Sequence, residues 1–275
     1  MAYNQGDAED RGVKEAELKE RKLLEDLSRL GSVVVAFSGG VDSSYLLWAA
    51  RRALGPEKVL AVTAVSPIIP AWERQAAARL AEALGVRHIF LPTDQMDDPR
   101  FRENPPERCY FCKKAVFSRI VELARREGFN HVVEGSNTDD DRDFRPGARA
   151  VKELGVLSPL KEAGLSKGEI RHLSRLAGLP TWDKPPQSCL ATRIPQGQTI
   201  TPEGLAMVER AESFLLSLGL RMVRVRHHYP IARIEVDREE MPKVVEKAGE
   251  IVTALKAAGY AYVVLDLEGY RPGGA

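Results

Sequence analysis

Short apolar runs alternate with amphipathic segments along the first two thirds of the chain. Four runs rich in β-branched residues predict buried strands, at residues 33–37, 59–65, 86–91 and 131–133. Segments with helical spacing of apolar positions lie before and between these strands, at residues 18–30, 43–54, 71–84 and 110–127. Strands that alternate with helices of this length predict a parallel sheet covered by helices on both faces.

The pattern changes after a proline-rich stretch at residues 180–186. A helix opening at Thr201 is followed by two strands, a helix and a last strand, predicted at residues 221–226, 231–236, 239–258 and 260–265. The chain is therefore expected to be an α/β protein. A Rossmann-like parallel-sheet domain is predicted over residues 1–195, and a smaller α+β domain over residues 196–275.

A glycine-rich turn joins the first predicted strand to the helix after it, and it reads Ser38-Gly39-Gly40-Val41-Asp42-Ser43-Ser44. Glycines let the backbone approach a phosphate closely, and the amide groups and positive dipole end of a helix favour an anion. A loop built for γ-phosphate transfer carries a lysine, and this loop has none. We therefore predict a site that splits ATP between its α- and β-phosphates. The alternative is a structural turn with a serine N-cap.

Polar residues also follow two other predicted strands, at the edge where open α/β sheets bind ligands. Thr63 lies at the end of the second strand, and the segment from Gly135 to Asp140 follows the fourth. We expect Asp42 and Asp140 to place Mg²⁺ on the departing pyrophosphate, because this ion prefers hard oxygen ligands. Alternatively, the aspartates of the last segment form only a solvated, helix-capping run.

The chain has three cysteines, Cys109, Cys112 and Cys189. An odd number of cysteines in a sequence whose start shows no export signal is a poor disulfide framework. A structural zinc would need a fourth ligand, and none of the five histidines is an evident partner. Three thiolates suit a [4Fe–4S] cluster whose open iron can hold a sulfide, and inert thiols are the alternative. Arg193, four residues after Cys189, is a candidate to stabilise developing negative charge.

Arg224 and Arg226 fall on one face of a predicted strand, together with His228. Two such arginines can clamp a phosphate or a carboxylate, although a solvated strand face would show the same pattern. The 40 Lys and Arg residues nearly balance the 39 Asp and Glu residues, and the net charge of +1 argues against a nucleic-acid-binding coat. No apolar run approaches the roughly 20 residues of a membrane span, so we expect a cytoplasmic protein without a membrane partner.

The heptapeptide at residues 38–44 resembles the PP-loop motif of the N-type ATP pyrophosphatases. The strings Arg108-Cys-Tyr-Phe-Cys-Lys-Lys and Ser188-Cys-Leu-Ala-Thr-Arg-Ile-Pro resemble the LarE family of ATP-dependent sulfur transferases, which make the pincer cofactor of lactate racemase. This resemblance implies that a carboxylate of pyridinium-3,5-biscarboxylic acid mononucleotide is adenylated and becomes a thiocarboxylate. It also implies a sulfide or persulfide donor and a homo-oligomer, which is a hexamer in the family.

The same resemblance implies roles for individual residues. Those implied to bind ATP lie on the loop and at the strand ends: Ala36, Ser38, Gly39, Gly40, Asp42, Ser43, Ser44, Thr63, Gly135 and Asp140. Cys109, Cys112 and Cys189 would hold the cluster, and Arg224 and Arg226 would hold the phosphate of the substrate. In some members of the family a single cysteine at the position of Cys189 gives up its sulfur and becomes dehydroalanine. Because this chain has all three cysteines, the cluster version is favoured.

Two other functions remain open on the sequence alone. A tRNA-thiolating enzyme could carry the same loop and cluster. It would need a basic surface and would bind tRNA with steep salt dependence, and this chain lacks the extra paired cysteines of the zinc modules common in that group. A non-catalytic nucleotide sensor would bind ATP without releasing pyrophosphate.

Overall fold

The computed structural model describes residues 5–142 and 146–271. Residues 1–4 lie outside these ranges. They belong to the start of the sequence, where no export signal is predicted. The helices in chain order are α1 (Gln5–Arg29), α2 (Val41–Leu54), α3 (Ala71–Ala83), α4 (Pro99–Arg102), α5 (Arg108–Arg126), α6 (Pro146–Glu153), α7 (Pro159–Glu162), α8 (Lys167–Leu176), α9 (Pro202–Ser217), α10 (Met241–Glu246) and α11 (Ala248–Ala257). The strands are β1 (Val33–Ala36), β2 (Val59–Val65), β3 (Arg87–Pro92), β4 (His131–Val133), β5 (Val223–His228), β6 (Ile231–Val236) and β7 (Tyr262–Leu265).

The first four strands form a parallel sheet in the order β3-β2-β1-β4. In the central strand β1, Val33 and Val35 point to one face and Val34 to the other, as the alternation of a strand requires. One face packs against α1, α2, α3 and α8, and the other packs against α5 and α6. The predicted α/β fold with a doubly covered parallel sheet is confirmed.

Several helix boundaries bear on the chemistry of the chain. Helix α2 begins at Val41, directly after the second glycine of the loop. Helix α5 begins at Arg108, so Cys109 and Cys112 both lie near its amino terminus. Helix α8 begins with a capping box in which Ser166 and Glu169 satisfy each other's backbone amides.

The remaining strands form a second sheet in the order β5-β6-β7. Strands β5 and β6 are antiparallel, whereas β6 and β7 are parallel. Buried residues of α9 and α11 pack with one face of this sheet in a separate core. The single helix predicted over residues 239–258 is instead divided into α10 and α11, which are separated at Lys247.

The chain forms two contact units whose bounds differ from the predicted division at residue 195. The first unit comprises residues 1–65, 73–94 and 109–184, and the second comprises 66–72, 95–108 and 185–275. Backbone hydrogen bonds explain the difference. Within the second unit, the amide of Leu190 donates to Ile68 O at 2.8 Å, and the amide of Ile200 donates to Arg102 O at 2.8 Å. Short segments from early in the sequence are therefore built into the later unit.

Among the described residues, no helix is long and apolar enough to cross a membrane.

Candidate active site

The glycine-rich loop of the first unit has a backbone suited to an anion. Gly39 has φ +72°, and a Cβ there would lie 3.2 Å from Cα and Cβ of Ala77 in α3, so both conformation and space favour glycine. Gly40 is the N-cap of α2, and no side chain of the described residues caps it. Ser38 and Ser43 are joined by their hydroxyl groups at 3.0 Å. The amino terminus of α2 is therefore available to an anionic ligand.

Asp42 lies in the first turn of α2, and its two carboxylate oxygens have different surroundings. Oδ2 accepts a hydrogen bond from Lys167 Nζ at 2.5 Å. Oδ1 is buried and has no hydrogen-bond partner among the residues described. Buried polar atoms are normally satisfied, so a carboxylate oxygen without a partner beside an anion site is suited to bind a cation.

Lys184 makes a second cationic contact with the loop. Its Nζ donates to the carbonyl oxygen of Gly39 at 2.9 Å and to Glu73 Oε2 at 2.7 Å. Arg171 of α8 donates to the carbonyls of Trp182 and Lys184 and so holds the main chain of this segment. Tertiary structure thus brings two lysines to a loop that has none in its own sequence.

The segment after β4 lies against the loop, as expected for Gly135. A Cβ on Gly135 would lie 3.0 Å from the amide nitrogen of Ser43, so this close approach favours glycine. Asp140 Oδ2 accepts the amide of Asn137 at 3.0 Å, and Asp139 Oδ2 accepts the amide of Lys167 at 2.8 Å. The described contacts of Asp140 thus include its own turn, and its contact with Mg²⁺ or ATP stays a prediction.

Thr63, near the carboxyl end of β2, is buried beside the start of the loop. Its hydroxyl donates to Phe37 O at 2.6 Å, so His88 Nε2, at 2.8 Å from the same hydroxyl, acts as the donor to Thr63. Burial lowers the pKa of His88. Ala36 ends β1 one residue before Phe37. These contacts fix the strand end from which the loop begins.

The cysteine pair belongs to the first unit. Cys109 is exposed and Cys112 is half-buried on α5. Lys113, which follows Cys112, has its Nζ 3.8 Å from Glu134 Oε2. The other oxygen of this buried carboxylate accepts the hydroxyl of Ser158 at 2.6 Å and the amide of Ser136 at 3.1 Å. The start of α5 is therefore tied to the segment that carries Gly135.

Cys189 belongs to the second unit and is half-buried before a short 3₁₀ turn, Leu190–Arg193. Arg193 is 1% exposed. Its Nε and Nη2 donate to the two oxygens of Glu212 at 2.8 and 2.9 Å. Its Nη1 contacts the carbonyls of Ser188 and Cys189 at 3.0 and 3.2 Å. The guanidinium thus holds the main chain around Cys189, and its predicted contact with a reacting group stays a prediction.

Arg224 and Arg226 share one face of β5, as the strand alternation predicts, and both are buried. Arg226 forms an ion pair with Glu235 at 2.8 Å and donates to Thr192 O at 2.9 Å. Arg224 donates to the carbonyls of Val223 and Pro186, and its guanidinium lies 5.3 Å from the centre of the Tyr270 ring. Neither arginine belongs to a solvated strand face, which was the alternative interpretation.

Among the described residues, no group of three or more His, Cys, Asp or Glu side chains is arranged to hold a metal ion. None of the three cysteines, all of which are described, forms a disulfide.

The sequence interpretation did not identify Lys167, Lys184, Glu73 or Glu235 as site residues. Lys167 directly follows the N-cap Ser166, and nothing else in the neighbouring sequence indicates that Lys167 contacts the loop. Lys184 and Glu73 have no local signal, since each contacts the loop or its partner across more than 100 residues of sequence.

Comparisons with known proteins place these features in a family. A family model for NAD synthase matches residues 18–123, which include the glycine-rich loop and the cysteine pair. An uncharacterized protein of Synechocystis is 43% identical over 94% of this chain and 96% of that protein. The pyridinium-3,5-bisthiocarboxylic acid mononucleotide synthase of Lactiplantibacillus plantarum is 37% identical over 93% of this chain and 92% of that protein. The chain belongs to the LarE family.

Membership of the LarE family confirms the resemblance, the fold class and the identification as a PP-loop enzyme. A protein of Methanocaldococcus jannaschii, uncharacterized like that of Synechocystis, is 28% identical over 92% of this chain and 96% of that protein. Each of these three relatives aligns with at least 92% of this chain. The aligned range therefore includes both strings that resemble the LarE family, at residues 108–114 and 188–195.

Proposed function

We propose that the chain is an ATP-dependent sulfur transferase that acts on pyridinium-3,5-biscarboxylic acid mononucleotide. An oxygen of a substrate carboxylate attacks the α-phosphorus of ATP, the bond between the α-phosphorus and the bridging oxygen breaks, and pyrophosphate leaves. Sulfide then attacks the acyl carbon, and AMP leaves with the former carboxylate oxygen as the thiocarboxylate forms. The relative from Lactiplantibacillus plantarum, named for the bisthiocarboxylic product, supports this substrate class.

The observation that carries the proposal is the state of Asp42 on a loop without lysine. One oxygen of Asp42 is bound by Lys167, and the other is buried and unsatisfied among the described residues. The orphaned oxygen suits Mg²⁺, which would neutralise charge on the departing pyrophosphate. The amides at the start of α2 and Ser38, Ser43 and Ser44 would bind the phosphates, and Thr63 and Gly135 would border the nucleotide.

Cys109, Cys112 and Cys189 would hold a [4Fe–4S] cluster, whose open iron would supply a coordination position for a sulfide. Three thiols that are outside disulfides and at least partly accessible suit this group in their chemistry, whereas the described side chains are not gathered into a metal-binding group. The sulfur source in the alternative is Cys189 itself, which would end as dehydroalanine. We further propose a cytoplasmic homo-oligomer, hexameric by family resemblance, supplied by a sulfide or persulfide donor.

Arg224 is the better supported of the two proposed phosphate ligands. Among the described residues it has no carboxylate partner, whereas Arg226 is paired with Glu235. A buried guanidinium that contacts only neutral carbonyls and a ring is a favourable site for a phosphate, since an anion forms stronger hydrogen bonds with it.

Product analysis tests the proposal directly. With ATP, Mg²⁺ and the biscarboxylate mononucleotide, the enzyme should release AMP and pyrophosphate in equal amounts. Formation of ADP and phosphate would show that the loop performs γ-transfer. Binding of ATP without either product set would favour a nucleotide sensor.

Anaerobic iron analysis together with intact mass tests the sulfur source. The protein prepared without oxygen should hold about four irons and four sulfides per chain. Each of Cys109→Ser, Cys112→Ser and Cys189→Ser should lose them, because serine replaces a soft thiolate with a poorly ionised oxygen. A colourless protein that reacts once and leaves residue 189 lighter by the mass of hydrogen sulfide would support the sacrificed cysteine.

A further inference from the structure

Three arginines of the second unit hold the main chain on both sides of Cys189. Arg224 Nη2 donates to Pro186 O at 2.5 Å, three residues before the cysteine. Arg226 Nη1 donates to Thr192 O at 2.9 Å, three residues after it. Arg193 Nη1 contacts the carbonyls of Ser188 and Cys189 themselves. We call residues 186–192 the cysteine segment.

The three guanidinium groups differ in how their charge is compensated. Arg193 is paired through two nitrogens with Glu212, and Arg226 is paired with Glu235, and these carboxylates are buried. Arg224 has no carboxylate partner among the described residues, and its donors reach only the carbonyls of Val223 and Pro186. Burial lowers the pKa of Arg224, and the neighbouring charge of Arg193 lowers it further. The charge on Arg224 is thus the one that an anion would stabilise most.

We propose that Arg193, Arg224 and Arg226 are positioning residues for Cys189, and that Arg224 exchanges the carbonyl of Pro186 for the phosphate of a ligand. A phosphate oxygen accepts a stronger, charge-assisted hydrogen bond than a neutral carbonyl does. The guanidinium of Arg224 therefore binds phosphate in preference to the carbonyl of Pro186 when both are present. Arg193 and Arg226 keep their contacts, because each forms an ion pair with a buried carboxylate, Glu212 or Glu235, and breaking a buried ion pair is costly.

The exchange frees one side of the cysteine segment when a phosphate ligand arrives. Pro186 loses its hydrogen bond to Arg224, while Ser188, Cys189 and Thr192 stay bound to the other two arginines. Binding of the ligand therefore loosens the chain that leads into Cys189. The identification of the ligand as the phosphate of the mononucleotide rests on the proposed function. The contact of the three arginines with the cysteine segment rests on their hydrogen bonds.

Hydrogen–deuterium exchange of the full-length chain, with and without inorganic phosphate at constant ionic strength, tests this inference. The amides of residues 187–189 should exchange about tenfold faster with saturating phosphate, as expected when one charge-assisted hydrogen bond is lost. Arg224→Gln should exchange fast without phosphate and show no further response. Arg210→Gln is the matched control, because Arg210 is an exposed arginine of the same unit that donates to the carbonyl of Ala258. This control should respond as the wild type does.

Arg224→Lys provides a second variant if the glutamine variant does not fold. Its single ammonium keeps the charge but cannot reproduce the fork, so it should bind phosphate with a smaller change in exchange. Equilibrium dialysis measures phosphate binding. If phosphate binds and the exchange rates of the amides of residues 187–189 do not change, the inference is wrong. Slower exchange with phosphate would overturn it too. An unresponsive segment in an enzyme that forms AMP and thiocarboxylate would reject only this inference, and ADP formation would reject only the proposed function.

Discussion

The two units offer an anion two different kinds of site. In the first unit, the loop presents amides at the start of α2, and its cationic neighbours Lys167 and Lys184 are held by Asp42 and Glu73 in partly exposed pairs. In the second unit, the cations are buried arginines whose donors are already taken by carbonyls and carboxylates. An anion at the loop adds contacts to the start of α2, where no described side chain caps the helix. An anion at Arg224 has to replace one.

This difference explains why the two sites respond differently to substitution. The loop offers an anion backbone amides, and the ion pairs of Asp42 and Lys184 beside it are partly exposed, so replacing either side chain should leave the fold intact. The arginines belong to the hydrogen-bonding of a protein interior, where an unpaired partner is expensive. We therefore expect large effects on stability in the second unit and effects on activity with intact stability in the first.

The largest expected effect is on the stability of the second unit. Arg193→Met should destabilise the protein by about 3–5 kcal/mol, because Glu212 is left as an unpaired buried charge. Urea unfolding measures the change. Arg271→Met, which removes an exposed pair with Glu268, should cost at most about 1 kcal/mol. Equal losses in the two variants would remove the distinction between buried and exposed cations.

The double variant Arg193→Met/Glu212→Leu sharpens this test. It should recover part of the stability, because no charge remains buried. Recovery should be incomplete, since the amide of Val225 loses Glu212 Oε1 as its acceptor. A double variant no more stable than Arg193→Met would contradict the charge argument.

The second effect is on the reaction at the loop. Asp42→Asn should lower the rate of pyrophosphate release by about a hundredfold or more, since a metal ligand contributes several kcal/mol to charge stabilisation. The unfolding midpoint should stay close to that of the wild type, because asparagine has the same shape. Asp97→Asn, at an exposed position outside the loop, serves as the control. Full activity of Asp42→Asn would move the metal to other ligands.

Lys184→Met should raise KM for ATP with a smaller change in kcat. Lys184 donates to the carbonyl oxygen of Gly39. Because the peptide bond between Gly39 and Gly40 is planar and trans, this contact also directs the amide of Gly40 away from Lys184. Loss of a charge-assisted hydrogen bond corresponds to about a tenfold rise in KM. Lys184→Arg should recover part of the affinity, and Lys58→Met, at an exposed position, should have no effect. Unchanged KM in Lys184→Met would separate this lysine from the loop geometry.

The smallest effect concerns two half-buried histidines, one in each unit. Burial is the first cause that lowers the pKa of both His88 and His227. Each takes up its proton more readily in the unfolded chain, where histidine has a pKa of about 6.5, so folding stability falls as the pH drops below that value. His88→Gln and His227→Gln should each reduce this pH dependence in urea unfolding between pH 7.5 and 5. Only His88→Gln should also change KM for ATP, since His88 contacts Thr63.

Local patterns were enough to predict the strands of the parallel sheet, the loop and the helices α2, α3 and α5, whereas α6, which also covers the sheet, has no predicted counterpart. Runs such as 59–65 show their burial in their own composition, and the capping box at Ser166 and Glu169 is complete within four residues. The split of the last predicted helix at Lys247 and the early segments built into the second unit depend on packing and on hydrogen bonds between distant residues. No local periodicity reports these contacts.

The sequence by itself determined the strand–glycine–helix turn, because the glycines at 39 and 40, the apolar strand before them and the helix after them are neighbours along the chain. It also placed Arg224 and Arg226 on one strand face, since alternation is a local property. Only the tertiary structure decided where charge meets these elements. Lys167 reaches Asp42 across 125 residues, and Arg224 reaches Pro186 across 38. The physical reason is that each donor and acceptor pairs with whatever folding brings within about 3 Å, and that pairing is a property of the packed chain.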